Sequence, residues 1–254
     1  MKRRFFIFVL PLSLLAALSA GRSWWSLVEE LSSEKYEGRA TASEGYRKAA
    51  EFVAGQFKNL GLKPAAGSGY LLPVRFQVRR IREAESSLKL VRGGIQEWLE
   101  LGEDAYFTLN AGAGGTIRAP AVFVGYGLTV PERNYDDLAG LDLKGKIAVF
   151  LRGGPASIPG PLRAHYQSGA ERTAFLRKAG VIGTVSILDP KTMDVPWERL
   201  RLVRLEPFFS LKDVPAGEAA GLNLAVTVNP DKAERWFAGS GHSFEEILKL
   251  AGEG

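Results

Sequence analysis

The chain has 254 residues, no cysteine and two histidines, and its formal net charge is +5 at pH 7. Hydrophobic residues make up 46% and charged residues 24%, a globular balance that excludes disorder, collagen and coiled coil for the bulk of the chain. The lack of cysteine excludes disulfides, thiol nucleophiles, iron–sulfur clusters and thiolate zinc sites. With two histidines, a histidine-rich metal centre would have very few ligands.

The N-terminus has the pattern of a secretory signal peptide, which we assign to residues 1–20. Basic residues at positions 2–4 precede an uncharged apolar run, Phe5–Leu18, and small residues follow it. The run is shorter than the roughly 20 residues that span a bilayer and contains Pro11, so cleavage is favoured over an anchor. We therefore expect a secreted or periplasmic protein without a stable membrane anchor. Removing three of the 33 basic residues leaves 30 against 28 acidic ones, which gives no electrostatic reason to expect nucleic acid as a partner.

The segment from residue 21 to residue 69 is predicted to be helical. Apolar residues recur at i, i+3, i+4 and i+7 in a short first helix. A second helix is predicted from about Ser43 to Leu60, and Gly61 and Pro64 end it. The apolar stripes are Trp24, Leu27, Val28 and Leu31 in the first helix, and Tyr46, Ala49, Ala50, Val53, Phe57 and Leu60 in the second.

From residue 70 onward the pattern changes to strands with helices between and after them, which makes the predicted fold class α+β. Continuous apolar runs predict buried strands, and alternation predicts half-exposed strands. A helix is predicted over about 169–178, and further helices after Asn229 and after a capping box that begins at Ser243. The buried runs cover 121–126, 146–151 and 181–188, the alternating stretches begin at 74, 88 and 222, and residues 190–220 are predicted to be irregular.

Neither histidine is predicted to bind a metal ion. No carboxylate lies two to four residues from His165, which sits in a polar connection. His242 precedes the helix cap Ser243, and the HExxH order of zinc proteases is absent. We interpret both as ordinary surface or loop residues.

The acidic pairs are interpreted as turn residues. Asp136, Asp137 and Asp142 lack the spacing of a calcium loop and are predicted to form a solvated turn that launches the next strand. Glu103 and Asp104 have the same interpretation.

Serine, glycine and tryptophan patterns give no site either. Ser240 lies between two glycines but lacks the GxSxG elbow of serine hydrolases. The glycine-rich stretches 112–115 and 153–154 match neither phosphate-binding motif and predict turns. The five tryptophans are scattered, which favours packing over a stacking platform. From the residues alone, we assign no catalytic, cofactor-binding or metal-binding residue.

Three segments nevertheless occur in a recognisable order. Residues 31–65 contain Tyr36-Glu37-Gly38-Arg39, residues 122–149 contain Lys144-Gly145-Lys146, and residues 171–183 follow. Together they resemble exported co-catalytic zinc aminopeptidases that carry an inserted protease-associated (PA) domain, the aminopeptidase Y and glutamate carboxypeptidase II type. The resemblance covers roughly residues 24–254.

The resemblance implies that this sequence lacks the metal-binding core of the zinc peptidase domain. In that family the first helices of the zinc peptidase domain precede the PA insertion, and the metal-binding core follows it. The core needs an HxD motif, further acidic and histidine ligands and a glutamate base, so that two zinc ions activate one water. His165 and His242 are followed at the second position by Gln167 and Phe244, and the sequence ends at residue 254, where the core would begin. The resemblance therefore places no catalytic residue and no zinc ligand in this chain, and no cofactor is expected in it.

What the resemblance does imply is a non-catalytic role. Residues 21–69 would be the N-terminal helical segment of a peptidase-like domain, and 70–254 a PA-like domain with C-terminal helices and a core at about 85–230. We expect this portion of a secreted zinc metallo-aminopeptidase-like protein to cover the cleft or to mediate substrate or protein contacts, and the chain alone to be inactive. Its partner would be a peptide, a protein or a separately encoded peptidase core.

Two other hypotheses stay open. The chain could be an autonomous exported PA-type module that binds peptides or proteins, or an enzyme with a site that the sequence does not reveal. If the core is absent, the apolar stripes of the N-terminal helices lack their partner, and burial of large apolar side chains stabilises by roughly 1.5–3 kcal/mol each. We therefore expect residues 24–65 to be poorly anchored in the isolated chain, while 85–230 stays folded.

Overall fold

The structure is a computed structural model that describes residues 24–65, 67, 69–109, 111–112, 114–212 and 221–253. The predicted signal peptide lies outside these residues. The chain divides into two compact units, Met1–Val74 and Arg75–Gly254. Helices come first and a set of strands with further helices follows, which confirms the α+β class. Among the described helices, none combines the length and apolar character that crossing a bilayer requires.

The first unit consists of helices and turns. Helix α1 covers residues 24–32, a 3-10 helix covers Glu34–Arg39, and α2 runs over Glu44–Asn59. The side chain of Ser43 caps α2, because its oxygen accepts a hydrogen bond from the N–H of Tyr46.

The C-terminal end of α2 also follows from its sequence. Gly61 has a positive φ of 71°, and its N–H donates to the carbonyl of Lys58. The N–H of Leu62 donates to the carbonyl of Phe57, which completes a Schellman motif. The predicted helix boundaries are therefore confirmed.

Tyr36 lies at the centre of the first unit and is 1% exposed. Its hydroxyl donates a hydrogen bond of 2.7 Å to Glu30 Oε1, and its ring centroid lies 6.3 Å from that of Phe52 on α2. Gly45, in the first turn of α2, lies so close to the carbonyl of Tyr36 that a Cβ would overlap it. One side of α2 is thus closed against residues 34–39.

The second unit contains the strands and the remaining helices. Residues 83–85, 131–133, 201–205 and 230–232 form short 3-10 helices. The strands are β1 (Phe76–Arg79), β2 (Leu88–Arg92), β3 (Ile95–Leu99), β4 (Ala105–Phe107), β5 (Ala121–Phe123), β6 (Thr129–Val130), β7 (Tyr135–Asp136), β8 (Ile147–Leu151), β9 (Gly183–Ile187), β10 (Phe208–Leu211) and β11 (Leu224–Val228). The helices are α3 (Gly160–Tyr166), α4 (Gly169–Lys178), α5 (Trp197–Leu200), α6 (Glu234–Phe237) and α7 (Phe244–Glu253).

Five of these strands form one mixed sheet in the order β4-β11-β9-β8-β5. The four strands β5, β8, β9 and β11 are parallel, and β4 pairs antiparallel with β11 at one edge. The three apolar runs predicted to be buried strands are found as β5, β8 and β9, but β5 is a three-residue edge strand whose residues are exposed or partly buried, so the prediction of burial is wrong for it. Nearly every position of β8 and β9 is buried, as expected for parallel strands covered on both faces.

Alternating residues of the sheet fill two separate cores. One face packs against Phe237 of α6 and Phe244 of α7, and the other against Leu176 of α4. The first core includes Val149, Leu151, Val185, Ile187, Val226 and Val228, and the second includes Ala148, Phe150, Val181, Leu222 and Ala225.

Residues 190–220 were predicted to be irregular, and this prediction is wrong for most of their described part. They contain α5, a 3-10 helix and β10, which pairs antiparallel with β1 as a separate two-stranded sheet. Trp197 of α5 is buried, and its indole N–H donates a 3.0 Å hydrogen bond to the carbonyl of Gly102. Pairings between residues about 100 or more positions apart therefore order a stretch whose local composition favours a loop.

We predict opposite effects for two glycine substitutions in α2. Gly45→Ala is expected to lower the free energy of unfolding of the first unit by about 1–3 kcal/mol, because the new Cβ overlaps the carbonyl of Tyr36. Gly55→Ala is the matched control and should stabilise by about 0.5–1 kcal/mol, because nothing lies within 4 Å of its Cβ and alanine favours the helix. Urea unfolding followed by tryptophan fluorescence checks both. Stabilisation by Gly45→Ala would contradict the packing described.

Candidate functional site

Neither histidine lies in a catalytic or metal-binding arrangement. His165 lies exposed on α3 rather than in a loop, and its ring makes an edge contact with Tyr166 at 4.8 Å between centroids. His242 precedes α7, as predicted, and its Nδ1 lies 3.9 Å from Glu246 Oε2. That carboxylate oxygen already accepts the N–H of Ser243 at 2.8 Å, in the predicted capping box. Within the described residues, no group of three or more histidine, aspartate or glutamate side chains could hold a metal ion.

The residues present therefore do not fit the two-zinc centre of the family that the sequence resembles. Such a centre needs several histidine and carboxylate ligands around each ion. His165 has no carboxylate beside it, and the one acidic neighbour of His242 caps a helix. We derive no step of zinc chemistry through this chain.

The prediction of a solvated turn is wrong for Asp137, which is partly buried and accepts three hydrogen bonds. Its Oδ2 accepts hydrogen bonds from the N–H groups of Tyr126 and Leu128, at 3.1 and 3.0 Å, and its Oδ1 accepts one from the hydroxyl of Tyr135 at 2.6 Å. Gly125 has a positive φ of 56°, and a Cβ there would lie 2.8 Å from Asp137 Oδ1. The carboxylate therefore fixes the loop after β5 against β7, which no local sequence pattern shows.

The electrostatics of Asp137 follow from this position. Burial raises the pKa of Asp137 above its ordinary value, although the hydrogen bonds from Leu128, Tyr135 and Tyr126 oppose the shift. Burial and the neighbouring carboxylate also raise the pKa of the Tyr135 hydroxyl. The two carboxylate oxygens of Asp137 accept hydrogen bonds from three donors, so the role of Asp137 is to hold the loop after β5. By contrast, Asp136 and Asp142 are exposed, as predicted.

The prediction of a solvated turn is wrong for Asp104, which is buried, whereas Glu103 is exposed, as predicted. Asp104 is 7% exposed, and its Oδ2 accepts the N–H of Glu100 at 2.7 Å and pairs with Arg235 at 2.5 Å. Arg235 also pairs with Glu97 on β3, at 2.6 Å. These contacts tie the β2–β3 hairpin to α6.

The serine and glycine candidates lie in turns, as predicted, whereas the prediction for the tryptophans is partly wrong. Ser240 exchanges hydrogen bonds with the backbone of His242, and positive φ angles at Gly114 and Gly153 confirm the predicted turns. Packing was predicted for the tryptophans, and this is wrong for those that are at least half exposed. They are Trp24, Trp25 and Trp98, whereas Trp197 is buried and Trp236 is partly buried.

An open apolar groove of about 480 Å³ lies in the first unit. Its lining residues on α2 do not include Gly45 and Phe52, which lie beside Tyr36. The rings of Tyr46 and Phe57 are 52% and 42% exposed there, although both belong to the apolar stripe predicted from the sequence. Exposed apolar surface of this kind is typical of interaction sites. The lining residues are Leu31, Arg39, Tyr46, Ala49, Ala50, Val53, Ala54, Phe57, Tyr70 and Leu71.

Comparison with known proteins assigns no family to the chain and gives distant structural similarities. No family model matches it, and no curated protein matches it. The aminopeptidase from Aneurinibacillus sp. strain AM-1 is similar with a TM-score of 0.43 and 19% identity, over 83% of this chain and 40% of that one. The zinc aminopeptidase BSAP from Bacillus subtilis is similar with a TM-score of 0.29 and 19% identity, over 65% of this chain and 32% of that one. The chain thus spans less than half the length of either protein, and at these TM-scores the likeness carries no argument about function.

We predict that Asp137→Asn lowers the free energy of unfolding by about 1–3 kcal/mol at pH 7, because its amide nitrogen cannot accept the donors around it. The pKa of Asp137 is raised by burial, so the folded protein takes up this proton at a higher pH than the unfolded chain. The contribution of the carboxyl to stability therefore increases as the pH falls from 7 towards the unfolded-state pKa.

Urea unfolding at pH 7 and at about pH 5 checks this prediction. The stability difference between the unsubstituted chain and Asp137→Asn should be larger at the lower pH. Asp194→Asn is the control, since Asp194 is an exposed aspartate outside this loop. A difference that shrinks on acidification would contradict the burial argument.

Proposed function

We propose that this chain is the non-catalytic N-terminal and PA-like portion of an exported zinc metallo-aminopeptidase-type protein. In this proposal the groove on α2 receives a peptidase core, and the second unit covers the cleft of that core or mediates contacts with substrate or protein. The three ordered sequence segments over 31–65, 122–149 and 171–183 support the family assignment. The signal-peptide pattern over residues 1–20 supports export.

The groove is the observation that carries the proposal. It lies on the helix that the resemblance assigns to the peptidase-like domain, and it leaves Tyr46, Phe57 and Leu71 between 42% and 52% exposed. Burying such side chains stabilises by roughly 1.5–3 kcal/mol each, and the first unit alone realises only part of this. A protein surface that fills the groove would supply the rest.

A second candidate function is an autonomous PA-type module that binds a peptide or protein. The observation that favours it is the construction of the second unit, whose sheet is covered on both faces by its own helices. Within the Lys144-Gly145-Lys146 segment, the N–H of Gly145 donates a 2.8 Å hydrogen bond to the carbonyl of Gly180, which aligns β8 beside β9. The described members of both cores all belong to the second unit.

A binding experiment separates the two candidates. We predict that a reading frame next to the one for this chain encodes an HxD motif with further acidic and histidine ligands. Its product should bind the purified chain and raise the amide-exchange protection of residues 46–57. The lack of such a frame, or of binding by its product, would favour the autonomous module.

Two phenylalanines of α2 make the binding test specific. Phe57→Ser should lower the free energy of unfolding of the isolated chain by less than Phe52→Ser does, because Phe57 is 42% exposed, but should weaken core binding at least about tenfold. Phe52→Ser, which removes the ring beside Tyr36, should destabilise the isolated first unit by more than about 1 kcal/mol. Equal effects of the two substitutions on stability and on binding would contradict the assignment of the open side.

We also predict that the purified chain does not hydrolyse aminoacyl-arylamides, with or without added zinc. The reason is the sequence, which holds two histidines and no HxD motif. Release of the arylamine should match a buffer blank, and a zinc aminopeptidase assayed in parallel is the positive control. Turnover that purifies with the chain would overturn the non-catalytic proposal.

A further inference from the structure

Three arginines surround the turn that follows β8. Arg152 directly precedes this turn at Gly153, Arg163 lies on α3, and Arg172 lies in the first turn of α4. None of the three forms an ion pair with any residue that the structure describes. We call these three side chains the arginine cluster.

Arg172 is the buried member of the arginine cluster. It is 7% exposed, and its guanidinium carbon lies 4.6 Å from the centroid of the Phe150 ring. Its Nη2 donates a 3.1 Å hydrogen bond to the carbonyl of Gly153, whereas its Nε is buried without a partner among the described residues. Burial and the charge of Arg152 lower the pKa of Arg172 to about 10. Because a buried cation without a counter-charge is costly, an anion close to Arg172 would be stabilising.

Arg163 contacts the same turn as Arg172. The stem of Arg163 packs against Gly154, where a Cβ would lie 3.0 Å from its Cγ, and its Nη1 donates a 3.1 Å hydrogen bond to the carbonyl of Pro155. The carbonyl that accepts from Arg172 belongs to Gly153, two residues earlier. The guanidinium groups of both arginines therefore lie against residues 153–155.

Arg152 approaches the turn from the end of β8. Its N–H donates to the carbonyl of Ile187, so the pairing of β8 with β9 extends to this residue. Because side chains alternate between the faces of a strand, Arg152 is on the same face as Phe150, over whose ring Arg172 lies. The turn belongs to the carboxyl edge of the parallel strands, which is the edge where open parallel sheets bind their ligands.

The positive charge of the arginine cluster is not balanced by its surroundings. The charge of Asp137 acts on Arg172, but the oxygens of Asp137 accept hydrogen bonds from three other donors. The N–H groups of Gly153 and Gly154 donate to no backbone carbonyl of a described residue. Unpaired guanidinium groups and free backbone donors therefore occur together at this turn.

We propose that the arginine cluster is a binding site for a small oxyanion of the phosphate type. Arg152 and Arg163 donate hydrogen bonds to its oxygens, and the charge of the buried Arg172 attracts it. Guanidinium groups match phosphate oxygens through paired N–H donors, and three cations favour a doubly charged anion over a carboxylate with one charge. The turn matches no glycine-rich phosphate motif, so side chains supply the specific donors. The site belongs to the second unit and does not depend on the proposed function.

Calorimetric titration of the purified full chain with inorganic phosphate tests the proposal. Phosphate should bind at one site and more weakly as sodium chloride is added, and acetate should bind at least about tenfold more weakly than phosphate. Arg152→Gln and Arg163→Gln should each weaken phosphate binding at least about tenfold, because each removes a charge-assisted hydrogen bond. Glycerol phosphate distinguishes the source of the anion: binding as tight as that of phosphate supports a phosphate ester as the ligand, and weaker binding supports free phosphate.

Arg118→Gln is the matched control. Arg118 is exposed and precedes β5 at the amino edge of the same sheet, so its replacement removes the same charge at the opposite edge. This variant should bind phosphate like the unsubstituted chain. Thermal unfolding without phosphate shows whether each variant is folded. Arg152 is exposed, so Arg152→Gln tests the proposal even if Arg163→Gln, which loses a hydrogen bond to Pro155, fails to fold.

Four results would overturn the proposal. The first is the lack of phosphate binding at millimolar concentration, and the second is acetate binding as tight as that of phosphate. The third is phosphate binding that neither Arg152→Gln nor Arg163→Gln weakens, which would place the anion elsewhere on the chain. The fourth is equal weakening by Arg118→Gln and Arg152→Gln, which would indicate a general effect of net charge.

Discussion

A parallel sheet has to bury both of its faces, and the second unit depends on this requirement. The strands β8 and β9 carry no charged side chain, and their polar side chains are Thr184 and Ser186, so α4 must cover one face and the C-terminal helices the other. All described residues of these two cores belong to the second unit. The elements that remain open, the groove side of α2 and the β1–β10 ribbon, are therefore surfaces that the folding of this sheet does not need. Their apolar side chains call for an explanation outside the fold of the second unit.

The acidic residues show why residue type alone is a poor guide to function in this chain. Asp137 is partly buried and has a raised pKa, features that often mark a catalytic acid. Its oxygens, however, accept two backbone N–H groups and a tyrosine hydroxyl, so that it orders the loop between β5 and β6. Asp104 similarly connects a hairpin and a helix through Arg235. In both cases hydrogen-bonding capacity is used to position backbone, because a buried polar group left without partners is costly.

The sequence predicts a structural feature well when neighbouring residues determine it, and poorly when a distant part of the chain does. The cap at Ser43 and the glycine at position 61 fix both ends of α2, and continuous apolar runs identify β8 and β9. The order of β10 comes instead from β1, about 130 residues earlier, and a composition rich in proline and charge conceals it. The burial of Asp137 also depends on a tertiary contact. Helical periodicity likewise identifies the apolar residues Tyr46 and Phe57, but it does not tell whether anything covers them.

The α2 groove and the β1–β10 ribbon offer different kinds of surface. The α2 groove is concave and largely apolar, with Arg39 as its charged lining residue, so its affinity would come from shape and burial and would change little with salt. On the ribbon, the exposed side chains of Phe76, Val78 and Leu211 share one face, and the register places Arg75 and Lys212 on the opposite face. A partner held in the groove would therefore bind with little salt dependence, whereas a partner held at the basic face of the ribbon would bind more weakly as salt is added.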